Sequence, residues 1–449
     1  MTGWNMGNNI SAISTAPGVG GVAIIRVSGD SPLLIAEKMF TPLGKVEVKD
    51  FEPYKMYVGN IAGDGFSDFG MCVYFKAPKS YTGEDMVEFH CHGGIAITRG
   101  ILKKTFELGA MPATKGEFTR RAFINGKMSL ASAEGLIDMI NGESIGEAKA
   151  GYYLYREKLT EKIKDMQSRL TYALAYIDAG MDYPEEGVTE DNYDNIVETL
   201  KSVKTEIIDL ISRYGTGRKI KCGVKVAIVG SPNAGKSSVL NRLLDYEKAI
   251  VSPVAGTTRD AVEGEIDING IKFYFTDTAG IRVSDDEIEN AGIERSKRFL
   301  RDSDICLVII DGSRKMSDED SAVLKETEGK PRVIVSNKAD ISSGGINADI
   351  YTSAVTGENI DKLKELLFNK VFSDGVDIGA DYLTEERHLY ALKAADSAIG
   401  EAIKSFGVNS ADLSAIDIKN AWDSLGEISG ETASEKIIDE IFSKFCVGK

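Results

Sequence analysis

The chain has 449 residues, 43% of them hydrophobic and 27% charged, the composition of a soluble globular protein with room for roughly two to four domains. Lys and Arg number 53 against 69 Asp and Glu, a net charge of −16, so the overall field repels polyanions and any RNA contact has to come from a local patch or a partner. Five scattered cysteines lack paired metal-ligand spacing, which argues against a disulfide framework or zinc ribbon, and with no apolar run near the roughly 18 residues of a membrane span and no signal-peptide pattern in residues 1–10, the expected location is cytoplasmic.

From Asn9 to about residue 120, short apolar strands such as 22–27 and 71–75 alternate with Gly and Pro turns, which predicts a small α+β domain. His90, Cys91 and His92 have the look of a metal cluster. On a strand, however, His90 and His92 share a face, Cys91 points the other way, and no fourth ligand is near, so no metal is expected. Lys115, Arg120, Arg121 and Lys127 form one basic cluster, and Arg213, Arg218, Lys219 and Lys221 another; each reads as solvated surface.

Beyond these strands the period changes. Leu159, Ile163, Met166, Leu170, Ala173 and Ile177 recur every three or four residues, with Gly180 as a stop. Ile196, Leu200, Val203, Ile207, Ile211 and Tyr214 repeat the pattern before Gly215. Two long amphipathic helices follow, joined by the acidic turn Asp182-Tyr183-Pro184-Glu185-Glu186.

Residues 230–237 read Gly-Ser-Pro-Asn-Ala-Gly-Lys-Ser, between the apolar strand 224–229 and a helix from Lys236. This is a phosphate-binding loop in its required context: backbone N–H groups curl round the phosphates, Lys236 reaches the outer phosphoryl oxygens and Ser237 ligates Mg²⁺. Gly256-Thr257-Thr258-Arg259-Asp260 can place Thr258 on Mg²⁺, and Asp277-Thr278-Ala279-Gly280 puts Asp277 near the metal and the Gly280 N–H at the γ-phosphate. Loss of that phosphate releases both segments, an order-to-disorder switch. Asn337-Lys338-Ala339-Asp340 follows a further strand; the Asp340 carboxylate accepts two hydrogen bonds from guanine that adenine cannot offer. Ser353 and Ala354 help hold the base. Ile281 stands where Ras-like GTPases carry a water-orienting Gln, so hydrolysis needs another group. The stretch Asp285-Asp286-Glu287-Ile288-Glu289 either supplies that carboxylate or is a solvated helix start; spacing does not choose between them.

Helical patterning resumes from Thr384 through Phe406 and again toward Phe445. Neither helical stretch buries its apolar stripe alone, so both are expected to form one bundle with the GTPase inserted between its halves. Cys446 lies fourth from the end, but Gly448 and Lys449 do not fit a prenylation signal.

The opening Ala16-Pro17-Gly18-Val19-Gly20-Gly21-Val22-Ala23-Ile24-Ile25-Arg26-Val27-Ser28-Gly29, with Tyr81-Thr82-Gly83-Glu84-Asp85, Gly116-Glu117-Phe118-Thr119-Arg120-Arg121-Ala122-Phe123 and Cys446-Val447-Gly448-Lys449, resembles the tRNA-modification GTPase family MnmE, also called TrmE, over essentially the full length. The resemblance implies a multidomain α/β fold. Its parts are a small α+β folate-binding and dimerisation domain (1–122), an all-α helical domain (123–217 plus 376–449) and an inserted Ras-like P-loop GTPase domain (218–375).

For function, it implies a cytoplasmic homodimer, forming a heterotetramer with the flavoprotein MnmG. Together they install a (carboxymethyl)aminomethyl-type group at carbon 5 of the tRNA wobble uridine, with 5-formyl- or methylene-tetrahydrofolate as carrier. The positions matching the family's folate contacts are Arg26, Glu88, Lys127 and Lys449, and His92-Gly93-Gly94 matches a turn beside that pocket. The matching K⁺ contacts are Asn233, Ser252, Val254 (through its carbonyl) and Thr257; Glu289 matches the water-positioning glutamate. Nucleotide contacts are then expected from Asn233, Ala234, Gly235, Lys236, Ser237 and Ser238, from Ser252, Pro253, Val254, Ala255, Gly256, Thr257 and Thr258, from Asp277, Thr278, Ala279 and Gly280, and from Asn337, Lys338, Asp340, Ser353 and Ala354. A thiol at Cys446, on a tail near the folate, invites a role in adding to uridine carbon 6 or in redox chemistry. A ribosome-assembly GTPase would instead call for an RNA-binding module with a basic face, which the sequence lacks.

Overall fold

The structure, a computed structural model, describes residues 8–182, 190–245, 264–277, 298–341, 345–372, 375–376, 382–406 and 411–449. It divides into two compact units, one from 1–137, 154–207 and 390–449, the other from 138–153 and 208–389.

The first unit carries a seven-stranded sheet ordered β3-β4-β5-β6-β2-β1-β7. Its strands are β1 (Ile10–Ile13), β2 (Gly20–Gly29), β3 (Phe40–Pro42), β4 (Met56–Ala62), β5 (Ser67–Phe75), β6 (Asp85–Gly93) and β7 (Met111–Pro112). Alternation along β2 and β6 separates two faces. Ala23, Ile25, Val27, Val87, Phe89 and Cys91 enter a core shared with α1 (Pro32–Met39) and α2 (Ile95–Glu107). Arg26, Glu88 and His90, at the intervening positions, lie on the other face. Burial among these apolar groups pushes the Cys91 thiol up to about 11, so it is an inert core residue.

The stretches 81–85 and 116–125 knit together beside this sheet. The Tyr81 hydroxyl meets Thr119 Oγ1 at 2.8 Å, Asn125 Nδ2 donates to Thr82 O at 2.7 Å, and Arg121 lies buried between Glu84 and Glu117, 3.1 Å from each. Arg121 is therefore a structural ion-pair centre and no part of a solvated basic patch. Gly116, the residue before α3 (Glu117–Ile124), adopts φ +66° beneath the Phe442 carbonyl, which a Cβ would strike. Its N–H donates to Cys446 O at 3.4 Å, and Lys115 bridges to Val447. Cys446 is exposed, but its backbone is tied to the N-terminal part of the chain.

After α4 (Leu130–Asn141) and α5 (Ile145–Tyr155), α6 (Lys158–Asp182) buries Leu159, Ile163, Met166, Leu170, Ala173 and Ile177, and α7 (Glu190–Ser212) buries Ile196, Leu200, Val203 and Ile207. One expected stop fails: Gly180 lies inside α6. α7 ends at Ser212, ahead of Gly215, and a further helix, α8 (Tyr214–Cys222), follows. A glycine costs a helix only about 1 kcal/mol relative to Ala, less than a packed apolar stripe gains. The acidic turn beyond Asp182 lies outside the described residues. α12 (Glu386–Ser405) and α13 (Ala411–Ser429) come from the far end of the chain. Trp422 ties α13 to α6, accepting from Gln167 Nε2 at 3.2 Å and donating to Thr171 Oγ1 at 3.0 Å, while Lys204 of α7 pairs with Asp396.

The second unit is built on a six-stranded sheet ordered β13-β12-β11-β8-β10-β9. Its strands are β8 (Val224–Val229), β9 (Gly264–Ile268), β10 (Ile271–Asp277), β11 (Ile305–Asp311), β12 (Arg332–Asn337) and β13 (Ile350–Tyr351). All neighbours are parallel except the β9–β10 hairpin. β8 and β11 are near-continuous apolar runs because both faces are covered. On one side Val226, Ile228, Leu307 and Ile309 pack with α9 (Lys236–Asp245) and α11 (Ile360–Val371), and on the other Ala227, Val229, Cys306 and Val308 pack near α10 (Asp318–Glu326).

Residues 138–153 and 208–217 group with this unit, a placement the helical periods did not mark; Gly146 N donates to Gly270 O at 2.7 Å. Lys221 joins three stretches of chain, lying 2.8 Å from Asp138 Oδ1 and in contact with Glu385 Oε1. Burial and the nearby Glu385 push the Asp138 carboxyl up to about 7. Burial opposes the Lys221 ammonium, but Glu385 and Asp138 outweigh it and hold it above its ordinary range. An acid whose pKa rises on folding contributes stability below its unfolded value, near pH 4, and loses it as the pH climbs through the folded value of about 7. Asp138→Asn should flatten the pH dependence of the thermal midpoint over that interval and unfold at a higher temperature than the parent at pH 8. A lower midpoint at pH 8 would mean that ionised Asp138 is needed as a counter-ion to Lys221.

Candidate functional site

β8 ends at Val229 and α9 begins at Lys236, so residues 230–235 turn across the carboxyl end of a parallel strand, where ligands of such sheets bind. Asn233 takes φ +63° and Gly235 φ +95°. A Cβ on Gly235 would overlap Asn337 Nδ2, so only glycine lets the loop approach that amide. Ala234 is buried, while Asn233, Ser237 and Ser238 are exposed beside the α9 N-terminus, whose free N–H groups suit an anion. Lys236 Nζ donates to Gly230 O at 2.9 Å and Ser231 O at 3.0 Å, folded over the loop it belongs to.

The second half of the site lies at the end of β12. The buried side chain of Asn337 donates from Nδ2 to Ala234 O at 3.1 Å and accepts at Oδ1 from the Ala354 N–H at 3.2 Å. It thereby joins the phosphate loop, the 337–340 segment and the 353–354 loop. Lys338 adopts φ +67° and its ammonium meets Asp311 Oδ2 at 2.6 Å. Asp340 is exposed, and Ser353 Oγ donates to its Oδ1 at 2.5 Å. The other carboxylate oxygen is left to accept from a ligand. Asp277 pairs with Ile228 at the end of β10, at the same edge as the loop. Residues 252–258, 278–281 and 285–289, with Thr258, Gly280 and Glu289 among them, lie outside the described residues.

Three charged residues that the motifs do not contain, Asp311, Arg314 and Asp320, adjoin these loops. Asp311, at the end of β11, is held below the ordinary carboxylate range: burial opposes its charge, but Lys338 and Ser313 outweigh it. Arg314 donates from Nη2 to Ser231 Oγ at 3.1 Å and from Nη1 to Asp320 Oδ2 at 2.7 Å. Burial of Asp320 is likewise outweighed, by the Ser317 N–H, Ser231, Arg314 and the Ser317 hydroxyl, leaving its carboxyl at about 2. The one signal available in sequence was Ser317 three residues ahead of Asp320, the spacing of a capping box.

A second candidate site occupies the polar face of the first unit's sheet. Arg26 and Glu88 are cross-strand partners, with Arg26 Nε 2.8 Å from Glu88 Oε1 and His90 Nε2 3.4 Å from Glu88 Oε2. The Arg26 guanidinium carbon lies 5.1 Å from the Tyr81 ring centroid and 5.5 Å from that of Phe118. Arg26 Nη1 is buried and has no hydrogen-bond partner among the described residues. Burial opposes the Glu88 charge, yet His90 and Arg26 hold its carboxyl below its ordinary value. Gly448 packs against the Ile13 carbonyl of β1, and burial and then the Arg26 charge push the ammonium of the next residue, Lys449, down. Lys127 is exposed and donates to Pro78 O at 2.9 Å. His92 is clamped by Asp68, through Nδ1 at 2.7 Å and its N–H at 2.9 Å. No group of three or more His, Cys, Asp or Glu able to hold a metal exists among the described residues.

The family model described as "MnmE helical domain" matches residues 130–446, and that described as "GTP-binding protein TrmE N-terminus" matches residues 9–127. Among curated relatives, "tRNA modification GTPase MnmE" of Natranaerobius thermophilus is 38% identical over 98% of this chain and 99% of its own. The proteins of the same name from Heliobacterium modesticaldum and Clostridioides difficile are 36% and 34% identical, over 99% and 98% of this chain and 100% and 99% of theirs.

Replacing Asp340 by Asn turns one acceptor oxygen into a donor against guanine's own donors. One charge-assisted hydrogen bond is lost and the other keeps its acceptor without the charge, which corresponds to roughly 10²- to 10⁴-fold weaker GTP binding. Xanthosine triphosphate, which carries an oxygen where guanine has its amine, should bind Asp340→Asn more tightly than GTP does; equal preference for the two in a competition titration would remove Asp340 as the base reader.

Proposed function

Because the chain belongs to the MnmE family of tRNA modification GTPases, we propose that its GTP hydrolysis is K⁺-stimulated and gates a folate-dependent (carboxymethyl)aminomethyl modification at carbon 5 of the tRNA wobble uridine, carried out with a flavin-dependent partner, MnmG. The protein hydrolyses GTP to GDP and phosphate. It acts in the cytoplasm as a homodimer within a heterotetramer, on tRNA, through three domains: 1–122, 123–217 with 376–449, and 218–375. No helix among the described residues is long and apolar enough to cross a membrane.

The observation that carries the folate reading is the buried Arg26 Nη1, without a hydrogen-bond partner among the described residues, backed by two aromatic rings and paired through Nε with Glu88. An orphaned guanidinium N–H in such a place is costly unless a ligand acceptor meets it. The Glu88 carboxylate suits the amino-pyrimidine donors of a pterin, and Arg26, Lys127 and Lys449 suit the carboxylates of a folate tail. A 5-formyl- or methylene-tetrahydrofolate bound there supplies the one-carbon unit.

In the nucleotide site, Ser237 and Thr258 offer hydroxyls to Mg²⁺, while Asn233, Ser252, Thr257 and the Val254 carbonyl offer oxygens to K⁺; the two ions supply positive charge opposite the developing charge of the phosphoryl group. Ala234, Gly235, Ser238, Pro253, Ala255, Gly256, Thr278, Ala279 and Gly280 belong to the nucleotide contacts, and Asp277 to the metal side of the site. Asn337, Lys338, Asp340, Ser353 and Ala354 hold the base. Glu289 orients the attacking water, the task for which the apolar Ile281 is unsuited.

GTP turnover should be faster in K⁺ than in Na⁺, and Glu289→Ala should lower it on the order of 10²-fold. Equal rates in the two salts defeat the cation-assisted reading, and an unimpaired variant clears Glu289. At the sheet face, Glu88→Ala should weaken 5-formyltetrahydrofolate binding, followed by fluorescence titration, about 10- to 100-fold; parent-like affinity would remove the pterin from this pocket.

A further inference from the structure

The phosphate loop and the base-reading segment are joined a second time, by charged side chains outside both motifs. Lys338 Nζ lies 2.6 Å from Asp311 Oδ2, and Arg314 Nε lies 3.9 Å from the same oxygen. The same guanidinium reaches Asp320 Oδ2 at 2.7 Å and Ser231 Oγ at 3.1 Å. Ser231 is the second residue of the phosphate loop, and its carbonyl accepts from Lys236 Nζ at 3.0 Å. The bridge therefore ends on the lysine expected at the outer phosphates.

Asp320 gives the bridge a fixed anchor. It is buried and accepts from the Ser317 N–H at 3.0 Å and from Ser317 Oγ at 2.8 Å, the capping box that starts α10. The helix start is thus satisfied without Arg314. The Ser231 hydroxyl also acts on the Asp320 carboxylate directly; what the guanidinium adds is a second tie to Ser231 and the connection onward to Asp311. Three partners in different directions require a planar, multi-donor fork; a lysine ammonium on a flexible stem could not hold all three at once.

We propose that Arg314 is a positioning residue of the GTPase site, fastening the phosphate loop at Ser231 to the base-reading segment through Asp311 and Lys338, so that base recognition and phosphate grip are coupled and nucleotide dwell time is set by the bridge. This rests on reading 230–237 as the phosphate loop. Loops tied at two points, through Asn337 and through Arg314, have fewer open conformations from which nucleotide escapes. The partner of this site is the guanine nucleotide itself, held longer rather than turned over by new chemistry.

The test is the release rate of fluorescent mant-GDP, with Mg²⁺ present, from the full-length parent, Arg314→Ala, Arg314→Lys, Ser231→Ala and the double variant Ser231→Ala/Arg314→Ala. Loss of one charge-assisted contact predicts roughly tenfold faster release in each single variant, Arg314→Lys included. The double variant should release no faster than Arg314→Ala, because both changes cut one bridge. KM for GTP should rise while kcat stays close to the parent value. Ser231→Ala removes the contact from the loop side and leaves the Ser317 cap of α10 in place, so it decides the matter even if Arg314→Ala proves unstable. Release from Ser231→Ala within twofold of the parent, rescue by Arg314→Lys, or effects that multiply in the double variant would each overturn the proposal. A parent that binds no mant-GDP at all would instead refute the phosphate-loop reading itself.

Discussion

Asn337 holds three loops of the second unit in register through one buried side chain, donating to Ala234 O and accepting from the Ala354 N–H. Its amide has no rotational freedom left, because an unpaired buried amide would cost on the order of 1–3 kcal/mol. The close pass of the loop follows from this contact. Gly235 is required where the loop crosses the amide, and Asn233 takes a left-handed conformation two residues earlier. A parallel sheet places the ends of β8, β11 and β12 at one edge, so residues more than a hundred positions apart in sequence meet there without long loops.

Charge in this protein is largely consumed internally. Of the basic residues that cluster in sequence, Arg121 is enclosed by Glu84 and Glu117, Arg120 pairs with Asp439, Arg213 with Asp209, and Lys221 with Asp138 and Glu385. Arg121, Arg120 and Lys221 cross-link elements, whereas the Arg213 pair is an exposed i,i+4 contact at the end of α7. With a net charge of −16, the long-range field does not steer RNA toward the chain. The same use of charge recurs in the nucleotide site, where Asp311 and Asp320 hold Lys338 and Arg314 in place. It recurs again on the sheet face, where Glu88 and Arg26 are fixed against each other and one guanidinium N–H is left over for a ligand.

The terminal residues show how such a site can draw on both ends of a chain. Gly116 fits under the Phe442 carbonyl, its N–H meets Cys446 O, and Phe442 and Phe445 pack with Leu130 and Ala133. Lys449 arrives near Arg26 and Glu88 as a consequence of that packing. Nothing local to Val447-Gly448-Lys449 specifies this position. The Cys446 thiol, exposed on a backbone that is held, is presented at a defined place and not on a free tail.

Sequence by itself determined the elements whose physics is local. The loop 230–237 is legible because glycines, a lysine and a serine at fixed spacing make one backbone shape with one chemistry. The strands are legible from apolar runs, and the stripes of α6 and α7 from their period. The end of α6 was not: Gly180 reads as a stop, yet the helical backbone continues through it because tertiary packing outweighs a propensity difference of about 1 kcal/mol. Only the tertiary structure decided which side chains meet across long separations, as with Arg314 and Ser231, Asn337 and Ala234, Lys221 and Glu385, or Lys449 and Arg26. Such contacts depend on strand order and on how the two halves of the chain close, and a one-dimensional pattern carries no distance between residues hundreds of positions apart.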